Sequence, residues 1–172
     1  LKDKTSKLGL SEKIKIKIED FYHLSFPSNF FDICLCAWYL QSLKIVPALK
    51  EMLRVAKNNG ILICILVSEE GDEAKIKRIY NPQMVQEITK SLELVKKTLE
   101  KNNCEVVEKR KILTFHFPPS VQETYEILKV ISLGENVTEN AEEKIKDYLK
   151  KKVNGKILSF TQVASFICWY KK

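Results

Sequence analysis

Two groups of side chains have the type and spacing to do chemistry. Asp20 ends an alternating run in which Ile14, Ile16 and Ile18 interleave with lysines, and Phe21 follows it directly. A carboxylate so placed either accepts charge-assisted hydrogen bonds from a ligand or caps its own turn. The second group, Ala37, Trp38 and Gln41, follows an apolar run over 32–37. An indole face attracts a cation, and equally it fills a core. Both groups come directly after strand-like runs. In open α/β sheets ligands lie beyond the carboxyl ends of the strands, so both groups reach the edge where a ligand would sit.

Other candidates are weaker. The five cysteines (Cys34, Cys36, Cys64, Cys104, Cys168) are odd in number and lie mostly in apolar runs. They read as buried free thiols in a reducing compartment, hence the cytoplasm. Cys34 and Cys36 face the same way on a strand, but a metal or redox pair there needs further ligands nearby. His23 and His116 are isolated, and no metal-ligand spacing surrounds them. No nucleophile pattern built on Ser or Cys is present. Asn136-Val137-Thr138 matches a glycosylation sequon by chance in a chain with no secretory signal. The formal charge of +7 comes from lysines spread over helix faces. That pattern reads as a solvated surface before it reads as a nucleic-acid groove.

These side chains need elements to position them. The chain has 172 residues, 45% hydrophobic and 30% charged, with five Gly and five Pro. That suits one domain with a real core and many helices, and excludes disorder. No apolar run is long enough to span a bilayer. Residues 1–12 read as the tail of a helix capped by Gly9, and 14–18 as a strand near an edge. A strand over 32–37 follows, then a helix from Ile45 to about Lys57 with Ile45, Leu49, Met52, Leu53 and Ala56 as its buried stripe. Asn59-Gly60 stops it, and Ile61 to Val67 is a central strand. Residues 68–80 are a loop or short helix. Asn81-Pro82 opens a helix to about Lys101, with Val85, Ile88, Leu92, Val95 and Leu99 inward. A strand over 104–117 precedes Pro118-Pro119. Ser120-x-x-Glu123 and Asn140-x-x-Glu143 open helices to about Leu133 and Val153. Asn154-Gly155 turns the chain into a final strand, clearest over 163–169. Interleaved strands and helices are the grammar of an α/β fold with buried parallel strands.

Three local patterns occur in a fixed order: Asp20-x-x-x-Leu24-Ser25-Phe26-Pro27, then Phe31-Asp32-Ile33, then Arg54-Val55-x-Lys57-x-x-Gly60. Together they resemble the small-molecule branch (type 11-like) of the class I S-adenosylmethionine-dependent methyltransferases. The likeness covers 14–67 and extends to the closing strand, while 68–155 match in layout alone. It implies a Rossmann-like three-layer αβα sandwich, seven-stranded in the family, with a helical insert at about 118–155 before the last strand. It also implies S-adenosylmethionine as cofactor. By this resemblance Asp20 accepts a hydrogen bond from the adenine amine and the Phe21 N–H meets a ring nitrogen. Ala37, Trp38 and Gln41 would line the methionine and methyl-transfer end. Phe31 and Asp32, and likewise Arg54, Lys57 and Gly60, would be structural. Where relatives carry His, this chain has Gln41 and Ser42, which removes a general base from that position. Methyl transfer can run on proximity and alignment alone.

One departure is large. The family's Gly-rich loop and the acidic residue after its second strand are missing, because no glycine here sits in a G-x-G setting. A unit of about 30 residues or more is expected upstream of Leu1, so that 1–172 is one methyltransferase domain lacking its N-terminal part. Alone, it is expected to be inactive, with unpaired strand edges completed by self-association or by an upstream segment. The leading function is methyl transfer to a small molecule. The alternatives are a non-catalytic methyltransferase-like subunit or binding module, and an RNA methyltransferase. No membrane partner is expected.

Overall fold

The computed structural model describes residues 2–40, 44–134 and 136–171, with side chains described over 4–40, 44–134 and 136–165. In chain order it has helix α1 (Lys2–Lys7), strand β1 (Phe31–Ala37), helix α2 (Ile45–Val55), strand β2 (Ala56–Glu70), helices α3 (Gly71–Tyr80) and α4 (Pro82–Glu100), and strand β3 (Cys104–Phe117). Helix α5 (Val121–Leu128) runs into a π-turn (Lys129–Leu133), then come α6 (Glu139–Lys150), β4 (Val153–Asn154) and β5 (Ile157–Lys171).

The sheet is mixed, with strand order β1-β2-β5-β3 and the short β4 on β5. Strands β1 and β2 are parallel, Ile33 to Ile61 and Ala37 to Ile65. Strand β5 enters antiparallel between β2 and β3. Because β1 and β2 run the same way, both carboxyl ends open on one edge. Alternation along β2 sends Leu62, Cys64 and Leu66 to a fully buried face, where α2 and α4 pack. Helix α2 brings Ile45, Ala48, Leu49, Met52 and Leu53, and α4 brings Ile88, Leu92, Val95 and Leu99. Each fully buried Leu or Ile contributes about 1.5–3 kcal/mol relative to exposure. A second core joins α3, α5 and α6 to the start of β5, around Ile76, Tyr125, Leu128, Ile145, Leu149, Leu158 and Phe160.

The α/β sandwich expected from the sequence is present, with several local corrections. Residues 14–18 form no strand. Ile18 is fully exposed and Ile14 is exposed, because no described strand lies beside this run to take its hydrogen bonds. Among the described strands β1 pairs with β2 alone, and Ile33 and Leu35 on the face away from α2 are exposed. Helix α2 stops at Val55, and β2 begins at Ala56 rather than Ile61. Between Phe31–Ala56 and Ile33–Ile61 the register slips, so residues 57–60 bulge out of the ladder. Asn59 takes φ 62° there, and Lys57 reaches back to Asp32 at 2.7 Å. Ser120 caps α5 as expected, its Oγ accepting the Glu123 N–H at 3.3 Å. Helix α6 is capped by Thr138, two residues ahead of the expected Asn140.

Gly71, at the start of α3, is where the backbone needs glycine. Its φ is +84°, and a Cβ there would sit 3.1 Å from the Thr161 carbonyl oxygen and 3.2 Å from the Val163 nitrogen. Both obstacles are backbone of β5 and neither can rotate away. Gly71→Ala is therefore expected to cost at least about 1–2 kcal/mol, read as a lowered urea midpoint; an unchanged midpoint would contradict the fixed position of α3 against β5.

Candidate active site

The loop that carries Asp20 is tied to α2 by side chains. Arg54, on the last turn of α2, donates from Nη1 to the Phe26 carbonyl (2.8 Å) and from Nη2 to the Leu24 carbonyl (2.9 Å). Its guanidinium also grips Glu51 in a fork, 2.9 and 2.6 Å, and Glu51 accepts the Leu24 N–H at 2.8 Å. Bidentate pairs of this kind fix geometry as well as charge. Arg54 is structural, as the resemblance implies, and its task is to position the loop over 24–26. At its head, Asp20 Oδ1 accepts the Tyr22 N–H at 2.9 Å, and Oδ2 lies 3.3 Å from His23 Nδ1. The Tyr22 N–H, then His23, hold the Asp20 carboxyl below the usual range. Asp20 therefore stays ionised, exposed, and with lone pairs facing solvent. Phe21 is half-buried. With Leu24, Ile33, Cys34 and Met52 it forms an apolar groove of about 230 Å³ along the free side of β1.

The larger cavity, about 470 Å³, opens at the carboxyl edge of β1 and β2. That size suits a small-molecule site. Trp38 and Val67 floor it. One face of α4 (Met84, Glu87, Ile88, Ser91) and one face of α3 (Glu73, Lys77) wall it, and Ile131 and Ser132 of the π-turn close it, with Gln162 from β5. Trp38 has φ 63°, an uncommon conformation for a bulky residue and one that concentrates at functional sites. Its N–H donates to the Ile65 carbonyl at 2.8 Å, which fixes the indole's root just past the strand end. From residues 118–155, Ile131 and Ser132 of the π-turn reach the carboxyl edge. Tyr125 and Leu128 turn into the second core, Ile131 into the cavity wall, and Tyr148 toward Asp72.

Beneath the cavity lies a charged cluster that the sequence did not signal. Asp72 is 1% exposed. Its Oδ2 accepts the Thr161 N–H (2.8 Å) and hydroxyl (2.7 Å). Oδ1 accepts the Tyr148 hydroxyl and pairs with Lys152 at 2.7 Å. Burial alone would raise the Asp72 pKa, but the bonds from Lys152, Tyr148 and Thr161 outweigh it and bring it down to about 2. Burial and the Asp72 charge push the Tyr148 phenol well up. Next to it, Glu73 is also buried. Its Oε1 takes Lys77 Nζ at 2.7 Å and the Ser132 hydroxyl at 2.7 Å, and its Oε2 takes the Gln162 amide. Glu73 thereby locks α3, the π-turn and β5 together at the cavity wall. Burial would raise its pKa, and the Lys77 charge and these hydrogen bonds hold it below the usual range instead.

The expected site residues fall in two places. Trp38 lines the large cavity, and Ala37 ends β1 beside it, exposed and paired with Ile65. Asp20 and Phe21 belong to the loop and the smaller groove. Gln41, like Ser42, lies outside the described residues. Cys34, Cys36, Cys64 and Cys104 are free thiols, and among the described residues no group of His, Cys, Asp and Glu could hold a metal. Glu73, Lys77, Glu87 and Ser132 were not legible in the sequence as site residues. Their one available signal was helical spacing, Glu73 to Lys77 at i, i+4 and Met84, Glu87, Ile88 and Ser91 on one face.

Residues 1–64 match a family described as a methyltransferase domain. An uncharacterized protein from Methanocaldococcus jannaschii is 34% identical over 68 residues, and the match takes in 37% of this chain and 30% of that protein. Among solved structures, the YcgJ protein of Bacillus subtilis superposes with a TM-score of 0.62 at 16% identity, over 99% of this chain and 76% of that one. Geranyl diphosphate C-methyltransferase of Streptomyces coelicolor, solved with geranyl diphosphate and S-adenosyl-L-homocysteine, gives 0.50 at 12% identity, over 99% and 58%. The [4+2]-cyclase SpnF gives 0.51 at 16% identity, over 98% and 60%. Taken with the sheet order and the open carboxyl edge, these likenesses show that the chain has the fold of the class I S-adenosylmethionine-dependent methyltransferases.

Proposed function

We propose that the chain serves S-adenosylmethionine-dependent methyl transfer to a small molecule. The observation that carries this reading is the cavity at the carboxyl edge of β1 and β2, floored by a tryptophan in a left-handed conformation. The residues present fit one end of the cofactor. Asp20 is ionised and open to solvent beside an apolar groove that suits the face of a flat ring. Its carboxylate would accept from the adenine amine, and the Phe21 N–H would meet a ring nitrogen. Ala37, Trp38 and Gln41 would lie toward the cationic end, with the indole face drawing positive charge. When bound, S-adenosylmethionine supplies an electrophilic methyl group. The chain's own part is to bind, to align and to exclude water, which suffices for a direct displacement.

Fold alone does not fix the reaction, since a cyclase shares it. A phosphate-rich acceptor such as RNA is disfavoured by Glu73 and Glu87 in the cavity wall, where Lys77 is already engaged by Glu73. The free edge of β1, with Ile33 and Leu35 exposed beside it, supports completion of the sheet by a further strand from a second copy or another segment. Free thiols suit a reducing compartment, the cytoplasm, and no helix among the described residues is long and apolar enough to cross a membrane.

Calorimetric titration with S-adenosylmethionine tests the reading. Asp20→Ala is expected to weaken binding on the order of ten- to hundredfold, the range for one hydrogen bond to a charged group. Equal affinities would remove Asp20 from the site.

A further inference from the structure

We infer that the 470 Å³ cavity selects a small molecule with an apolar body and a basic amine, and that Glu87 is the residue that recognises the amine. The proposal rests on reading this cavity as the acceptor site, and it adds the chemical class of the acceptor.

The wall mixes two chemistries. Trp38, Val67, Met84, Ile88 and Ile131 are its apolar members. Its charges are Glu73, Lys77 and Glu87. Glu73 and Lys77 neutralise each other at 2.7 Å, and Glu73 has its remaining capacity taken by Ser132 and Gln162. That pair can offer a ligand little net charge. Glu87 enters no ion pair among the described residues, so its charge is the one left to a ligand. It shares the cavity with Trp38. A carboxylate favours a cation by charge-assisted hydrogen bonding. A negative wall is also against the trend of a chain with a formal charge of +7, so general surface charge does not account for it. Glu87 lies one helical turn from Ser91 and beside Ile88 on α4, and Ile88, Leu92, Val95 and Leu99 anchor that helix in the main core. The carboxylate is therefore carried by a rigid element, as a recognition group requires.

The test compares two probes of equal shape, 3-phenylpropylamine and 3-phenylpropan-1-ol, titrated into the full chain by calorimetry without S-adenosylmethionine. The amine is expected to bind about tenfold tighter than the alcohol. Glu87→Gln is expected to erase that preference and leave alcohol binding unchanged, and Glu87→Asp to restore part of it. Glu87 is exposed on its helix, and unchanged circular dichroism confirms that the variants fold. Equal binding of the two probes overturns the proposal, as does a preference that survives in Glu87→Gln, or an absence of amine binding at millimolar concentration. Amine binding that depends on Glu87 would uphold this site whether or not the chain alone binds S-adenosylmethionine, and S-adenosylmethionine binding that Asp20→Ala leaves unchanged would count against the methyl-transfer reading without touching this site.

Discussion

Asp72→Ala is expected to lower the unfolding free energy by about 3–5 kcal/mol, the range for breaking a buried charged network by removing one partner. The substitution leaves the Thr161 N–H, the Tyr148 hydroxyl and Lys152 without their shared acceptor, in a place where water does not reach Asp72. A loss of this size is a large part of a typical domain's stability. The same residue sets a pH dependence. Its folded pKa of about 2 lies below the ordinary 3.8, so the unfolded chain takes up the proton first. The stabilisation is complete above the unfolded value, and it is lost as pH falls from there through the folded value. Its size is about 2 kcal/mol. Asp72→Asn keeps the shape but cannot ionise, so it should show a lower stability at neutral pH and lack this share of the acid loss. Urea midpoints taken from neutral pH into the acid range measure both effects. A variant as stable as the parent, with the same acid dependence, would contradict the network.

What the sequence disclosed was local, and what it hid was long-range. Asn81-Pro82 announced α4, and the side chain of Asn81 does accept the Met84 N–H at 3.3 Å, because capping depends on neighbours three residues away. The stripe from Val85 to Leu99 proved buried throughout, since a helix face is set by spacing alone. The run at Ile14, Ile16 and Ile18 shows the limit of periodicity. Alternation makes a strand possible, but a strand exists only with a partner, and the described chain supplies none there. Asp72 and Thr161 are 89 positions apart. Locally, Gly71-Asp72-Glu73 reads as a helix start with acidic residues that suit the dipole, and nothing in those residues announces that both carboxylates turn inward. The backbone of Trp38 was equally unreadable: a tryptophan gives no hint of a positive φ, which arises only when the end of β1 is pinned to Ile65. Arg54 was legible as important through its motif. Its task, holding the loop over 24–26, became visible only with the fold.

Glu73 gives the second large effect, and one whose sign depends on what happens to its partner. Glu73→Ala is expected to cost about 3–5 kcal/mol, because Lys77 is left charged and unpaired in a buried position. The pair itself need not be stabilising on balance. Two charges lose their hydration when they are buried, and their attraction offsets that loss only in part. The double variant Glu73→Met, Lys77→Met removes both costs together and keeps side-chain volume in the wall. It should therefore lie within about 1–2 kcal/mol of the parent, far short of the sum of the single losses. A double-mutant cycle on urea midpoints measures this coupling directly. Additive losses would show that the two groups act independently. The double variant also separates stability from positioning. Ser132 loses its acceptor on α3 in either case, and the π-turn that closes the cavity is then held by apolar contacts alone. The chain should stay folded while the wall formed by Ile131 and Ser132 loosens, seen as faster amide exchange confined to 129–133. Exchange there as slow as in the parent would mean that Leu128 and Leu133, buried in the second core, hold the segment without help from Glu73.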